Sequence, residues 1–282
     1  MTFNFPAASP HQVSADWLAQ HLNEPDLRIL DARLPEAYTE GHIPQAVSIQ
    51  LTSLRYTKAG VEGMLVEPEV FAERIGAAGI GPHSRVVIYD DYFGQLAARI
   101  AWSLLRYGHQ SVALLDGGWD AWEAAGLPVS TEAHPPAPAH FTPTPAEQYG
   151  ADYDWVVARL GAPGVVLLDV RSPAEYVYAR PPSTPKGICL VRSPGTGNPA
   201  PRWMPPSPRQ RPCAPSWPNW ALRRIKRSSL TPDKEIVTYC QSGMRAAHTF
   251  YLLLSLGFPA VRLYDGSWAE WSTREGQVIH AG

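Results

Sequence analysis

The chain has 282 residues, with 24 basic and 26 acidic side chains, nine histidines and three cysteines. Its length suits two domains with separate cores, and its 45% apolar share excludes global disorder. A net charge of −2 excludes a polycation, and three cysteines cannot form a disulfide framework, so a reducing, cytoplasmic location is expected. No apolar run approaches the ~20 residues of a membrane span, and the opening Met1 to Pro6 lacks the basic and apolar regions of a secretory signal.

Taken in order, the chain repeats itself. Ile29-Leu-Asp-Ala-Arg33 returns as Leu167-Leu-Asp-Val-Arg171, with Pro35 and Tyr38 returning as Pro173 and Tyr176. Val86-Val-Ile-Tyr-Asp90 returns as Ile236-Val-Thr-Tyr-Cys240, and Asp116-Gly-Gly-Trp119 as Asp265-Gly-Ser-Trp268. Four blocks in one order, about 140 to 150 positions apart, mean tandem globular domains rather than a solenoid. The runs Val86–Tyr89 and Val165–Leu168 are continuous apolar strands, the pattern of parallel sheets covered on both faces. Helical faces follow, from Leu96 to Leu105 and from Ala246 to Leu254, matched at an offset of 150, with Gly108 and Gly257 as stops. Ser172-Pro-Ala-Glu175 has the spacing of a capping box. The expected fold is α/β: two tandem domains, each a small, mostly parallel sheet flanked by helices. Residues 9–130 form the first domain, 131–148 a Pro-rich extended linker, and 149–282 the second domain.

Cys240 ends a strand and opens a helix, with Gln241, Ser242, Gly243, Met244 and Arg245 following. Ligands of open α/β sheets gather at the carboxyl ends of strands. A tight loop before a helix aims backbone N–H groups inward as a nest for an anion, and such nests favour a nucleophilic thiolate. Gly243 lets the loop turn and Arg245 adds a fixed cation. A buried, inert cysteine is the alternative at this level of reading.

Cys240-Gln-Ser-Gly-Met-Arg245, with Leu168-Asp-Val-Arg171 before it and Asp265-Gly-Ser-Trp268 after it, resembles the second domain of a tandem rhodanese. Gly41-His-Ile-Pro44 is similar to the family's recurrent short motif, with Gln45 where Gly is usual. The likeness covers residues from about 10 to 176 and 226 to 280. It implies a thiosulfate sulfurtransferase: Cys240 would be the catalytic residue and would take the outer sulfur of thiosulfate as a persulfide. Gln241, Ser242, Gly243, Met244 and Arg245 would form the substrate-binding loop. The partners implied are a small sulfur donor and a cyanide or thiol acceptor, with no nucleic acid, no membrane, no cofactor and no metal. Where some family members carry a substrate-contacting Arg, this chain has Glu175.

Asp90 stands at the Cys240 position of the first repeat and cannot form a persulfide, so the first domain is expected to be catalytically silent and to wall the cleft. Trp102, Trp119 and Trp122 are read as packing residues, Asp169 and Arg171 as a structural pair, and His248 as a surface residue. Alternatives are a 3-mercaptopyruvate sulfurtransferase and a non-catalytic binding module. Phosphate-ester hydrolysis fits less well, because Arg245 follows Cys240 after four residues, one fewer than in the phosphatases of this fold.

Between Val177 and Leu230 lie twelve Pro, ten of the 24 basic residues and no acidic ones, which leaves 14 basic against 26 acidic elsewhere. This composition cannot bury a core, so residues about 178–225 are expected to be irregular, and the second domain to lack a strand matching Ala46–Ile49. Lys186-Gly-Ile-Cys-Leu-Val-Arg192, back-translated and read in a shifted frame, permits Gly-His-Leu-Pro-Gly-Ala, the motif missing from the second repeat. A pair of compensating frameshifts therefore accounts for the segment better than a basic insertion.

Overall fold

The computed structural model describes Phe5, residues 11–172, Glu175 and residues 230–274. The expectations for residues about 178–225, including the missing strand, lie outside the described residues.

The chain runs through β1 (Gln12–Val13), α1 (Ala15–His21), β2 (Leu27–Asp31), α2 (Pro35–Glu40) and β3 (Ala46–Ser48). A hairpin of β4 (Arg55–Lys58) and β5 (Val61–Leu65) follows, then α3 (Pro68–Ala77), β6 (Arg85–Tyr89), α4 (Gln95–Arg106), β7 (Val112–Leu115) and α5 (Gly118–Ala124). The second unit contains β8 (Gly150–Ala151), α6 (Tyr153–Ala158), β9 (Val165–Asp169), β10 (Glu235–Tyr239), α7 (Met244–Ser255), β11 (Val261–Tyr264) and α8 (Ser267–Trp271). The first sheet has the order β1-β7-β6-β2-β3, and the second, among the described residues, β8-β11-β10-β9. Every pairing in both sheets is parallel. The fold is thus α/β with two parallel sheets flanked by helices, as the alternation of strand and helix patterns requires.

The central strands are apolar on both faces because both faces are covered. Leu30, Val86 and Ile88 point into one core while Ile29, Val87 and Tyr89 point into another. In the second unit Leu168 and Ile236 take the inner side, and Leu167, Val237 and Tyr239 the outer. The inner sides belong to a single cluster that runs from Phe71 and Trp102 to Phe250 and Leu263, with α4 and α7 packed together inside it. The two units are therefore joined by a core rather than only tethered. The Pro-rich connection is laid on the first unit: Ala139 N–H donates to Gly76 O, Thr144 N–H to Tyr107 O, and Phe141 is buried.

Matching the elements corrects one offset. Helices α4 and α7 correspond at 149, not 150, because the loop from Asp90 to the helix start is one residue longer than the loop from Cys240. Gln45, at the position where the family usually has Gly, adopts φ 68° and donates to Asn23 Oδ1 at 3.1 Å, so a non-Gly residue occupies a left-handed position. Trp102 and Trp122 are fully buried, and Trp119 is half-buried beneath Arg33, all in packing positions.

Candidate active site

In both sheets a central strand ends in a Tyr registered against the Asp of its neighbour, Tyr89 with Asp31 and Tyr239 with Asp169. The next residue, Asp90 or Cys240, enters the loop before the helix. Beneath each loop lies the same support. Arg33 is held by Asp31 and covered by Trp119 at 4.0 Å; Arg171 is held by Asp169 at 2.8 Å and covered by Trp268 at 4.0 Å. Asp169 and Arg171 are both buried, which fits the structural role read from sequence.

The two nests differ in what fills them. Asp90 is buried, and its carboxylate accepts N–H groups from Tyr92 at 2.9 Å, Gly94 at 2.7 Å and Ala97 at 2.9 Å. Burial pushes this carboxyl above its usual range, and the N–H donors oppose that shift. Cys240 is 1% exposed, and Gly243 N–H donates to its Sγ at 3.2 Å. Its own N–H meets Ser267 Oγ at 3.3 Å, and its carbonyl accepts from Trp268 N–H at 2.9 Å. Gly243 has φ 85°, and a Cβ there would fall 2.7 Å from Arg99 Nη1, so both the turn and its packing demand glycine.

Of the loop residues expected to bind substrate, Gln241 is exposed, Ser242, Met244 and Arg245 are half-buried and Gly243 is buried. Arg245 is not a free cation. Its Nη1 and Nη2 donate to Glu175 at 2.6 and 2.7 Å, and Glu175 is itself fixed by the capping box, accepting from Ser172 N–H at 2.9 Å. The hydrogen bonds to Glu175 raise the Arg245 guanidinium above its ordinary value; burial opposes this, and the neighbouring Cys240 acts in the same direction as Glu175. Arg245 thus stands between Glu175 and Cys240. The expectation of His248 at the surface is wrong. α7 packs on α4, His248 is 7% exposed with its ring against Gly94, and burial pushes it down to about 4.

Sequence reasoning missed what the first unit contributes. Arg55 of β4 donates from Nη2 to Ser242 O at 2.9 Å. Arg99 of α4 pairs with Asp265, whose other oxygen accepts from Leu65 N–H at 2.9 Å. Contacts across 166 to 200 positions leave no local trace, although a lone arginine amid Ala97, Ala98, Ile100 and Ala101 was a legible oddity.

A thiol at the carboxyl end of a central parallel strand, with a loop N–H at a helix N-terminus donating to it, is an arrangement suited to thiolate chemistry, here on a duplicated α/β scaffold. The rhodanese-like domain family matches residues 14–125 and 152–274, and the chain belongs to that family. It is 33% identical over 294 residues to a probable 3-mercaptopyruvate sulfurtransferase of Pseudomonas aeruginosa, covering 98% of this chain and 99% of that one. It is 32% identical over 275 residues to a thiosulfate sulfurtransferase of Azotobacter vinelandii, covering 94% and 95%. Among solved structures it is similar to SseA of Escherichia coli, described as a 3-mercaptopyruvate sulfotransferase, with a TM-score of 0.72, 26% identity and coverage of 92% and 99%. The anaerobic ergothioneine biosynthesis enzyme of Chlorobium limicola shares the fold at 24% identity, with a TM-score of 0.74 and coverage of 96% and 70%. No described helix is long and apolar enough to cross a membrane.

Proposed function

We propose that Cys240 is the nucleophile of a thiosulfate sulfurtransferase. The chain is a sulfurtransferase of the rhodanese family, and its donor and acceptor are small molecules. The Cys240 thiolate attacks the sulfane sulfur of thiosulfate. The new S–S bond forms as the bond to the sulfonate breaks, and sulfite leaves with the electron pair. The persulfide then passes its outer sulfur to cyanide or a thiol, regenerating the thiolate. The observation that carries this reading is the Gly243 N–H on Cys240 Sγ at 3.2 Å, a fixed donor where both thiolate and persulfide are negative.

As a cation beside the loop Arg245 would favour thiosulfate, a dianion, but its bidentate pairing with Glu175 weakens that preference. The choice now rests on proton demand. Mercaptopyruvate would leave as an enolate that must be protonated, and among the described residues no histidine or protonated acid contacts Cys240; sulfite leaves without a proton. The first domain, 9–130, is silent in this scheme because Asp90 fills its nest, and the linker 131–148 carries the chain to the working domain, 149–282.

The test compares both donors on the wild-type protein and follows Cys240 by intact mass. Thiosulfate should add one sulfur atom, give the larger kcat/KM and release sulfite. Cys240→Ser should lose all transfer, because an un-ionised hydroxyl cannot carry the sulfur. A larger kcat/KM with mercaptopyruvate would overturn the donor, and transfer by Cys240→Ser would overturn the mechanism. A wild type that takes sulfur from neither donor would favour a binding module.

A further inference from the structure

Three arginines reach the Cys240 loop, and two come from the first unit. Arg245 is bidentate on Glu175, and Arg99 is paired with Asp265. Arg55 has no carboxylate within ion-pairing distance among the described residues. Its Nε donates to Gly63 O at 2.8 Å and its Nη2 to Ser242 O at 2.9 Å, while its Nη1 makes no hydrogen bond within the described residues. It is half-buried, so solvent and small solutes reach it.

The surroundings are built to keep it there. Gly63 O also accepts from Arg99 Nη2 at 3.2 Å, so one carbonyl gathers both guanidinium groups. Gly63 has φ 83°, and a Cβ on it would fall 1.8 Å from Arg55 Nη2, so Arg55 reaches the loop only because residue 63 has no side chain. Arg99 is wholly buried, its Nε and Nη1 lack hydrogen-bond partners among the described residues, and Nη1 lies under Gly243. Asp265 balances Arg99, while the neighbouring Arg55 keeps a donor and a charge with no carboxylate of its own among the described residues, a setting that favours a small anion. Burial and the charge of Arg99 hold the Arg55 guanidinium below its ordinary value, whereas Asp265 and Cys240 act the other way.

We propose that Arg55 is the donor-binding residue: from the first unit it holds the sulfonate end of thiosulfate beside Cys240 and retains sulfite as it forms, with Arg99 as a positioning residue beneath. The inference rests on the sulfurtransferase reading above. During transfer the negative charge of the donor is redistributed onto departing sulfite, so a fixed cation there acts on both the bound and the leaving anion. No proton is required.

The experiment measures steady-state kinetics of wild type, Arg55→Gln, Arg55→Lys and Gly63→Ala with thiosulfate, a dianion, and benzenethiosulfonate, a monoanion with the same sulfane sulfur. Losing a charge-assisted contact raises KM for thiosulfate about tenfold in Arg55→Gln. The rise is smaller for benzenethiosulfonate, kcat changes less than KM, and Arg55→Lys recovers part of the loss. Gly63→Ala, which displaces the guanidinium without deleting it, raises the same KM. An unchanged thiosulfate KM in Arg55→Gln, or equal losses with both donors, overturns the assignment while wild-type persulfide loading keeps the broader reading. A wild type that takes no sulfur from either donor overturns both.

Discussion

Glu175→Gln separates two tasks of one side chain. The carboxylate accepts both arms of Arg245 and also closes the capping box, in which Glu175 N–H reaches Ser172 Oγ at 3.2 Å. Glutamine preserves the box and removes the charge. The hydrogen bonds from Arg245 are the largest cause that holds this carboxyl at about 2 instead of 4.5. Fully sheltered, that displacement would be worth roughly 3.5 kcal/mol at about 1.4 kcal/mol per pH unit. Glu175 is 38% exposed and Arg245 29%, so solvent screening leaves about 1 kcal/mol. A depressed carboxyl stabilises the fold above its unfolded value and loses that contribution as pH falls through its folded one. Urea unfolding should therefore show Glu175→Gln about 1 kcal/mol less stable at neutral pH, with the gap narrowing from pH 4.5 toward about 2. The released guanidinium stands beside Cys240, so KM for thiosulfate should fall, most strongly at low salt. A stability gap independent of pH, or a KM that rises, would refute the view that Glu175 withholds this cation.

Two further outcomes are expected. Asp90→Ala strands three N–H groups, the one on Ala97 buried and those on Tyr92 and Gly94 part-buried, and should cost roughly 2 kcal/mol in urea unfolding, while Cys240 still loads with sulfur; a cost near zero would show the first nest to be unimportant for the fold. His248, held neutral down to about 4, makes the folded chain refuse a proton that the unfolded chain accepts near 6.5, so stability declines as pH falls between these values. His248→Gln should flatten that decline, leaving the smaller contributions of His11 and His109, both also lowered by burial, and an undiminished slope would contradict the burial argument.

The parallel sheets were legible because duplication printed the same strand ends twice, and because doubly covered strands are apolar without alternation. Cys240 was legible for a similar reason: strand, tight loop and helix are consecutive in the chain. What escaped was anything set by packing between the units. The neighbours of His248, from Ala246 to Leu253, are buried all round, a pattern that marks a helix covered on every side, yet one polar residue within it was read as exposed. Arg245 looked free because its partner lies 70 positions away. Arg55 sits on a short hairpin between Leu54 and Tyr56, where nothing local distinguishes a solvent-facing cation from one aimed at another unit's loop.

The duplicated nests pose one physical problem and solve it with different anions. A ring of inward N–H groups needs negative charge, and a nest left empty would bury unpaired donors. In the first unit Asp90 supplies the charge permanently; its carboxylate spans three N–H groups, and the loop carries one extra residue before the helix. In the second, Cys240 accepts the Gly243 N–H in a loop shorter by that residue. A filled nest repels further anions, so under the proposed scheme the first unit cannot compete for the donor. It is free instead to lend its hairpin and α4 to the other site, and the shared core around Trp102 and Phe250 fixes the distance over which Arg55 must reach. Under the proposed scheme, two loops of one pattern thus divide the work, Cys240 carrying the sulfur and the Asp90 unit serving as the support that holds Arg55 and Arg99.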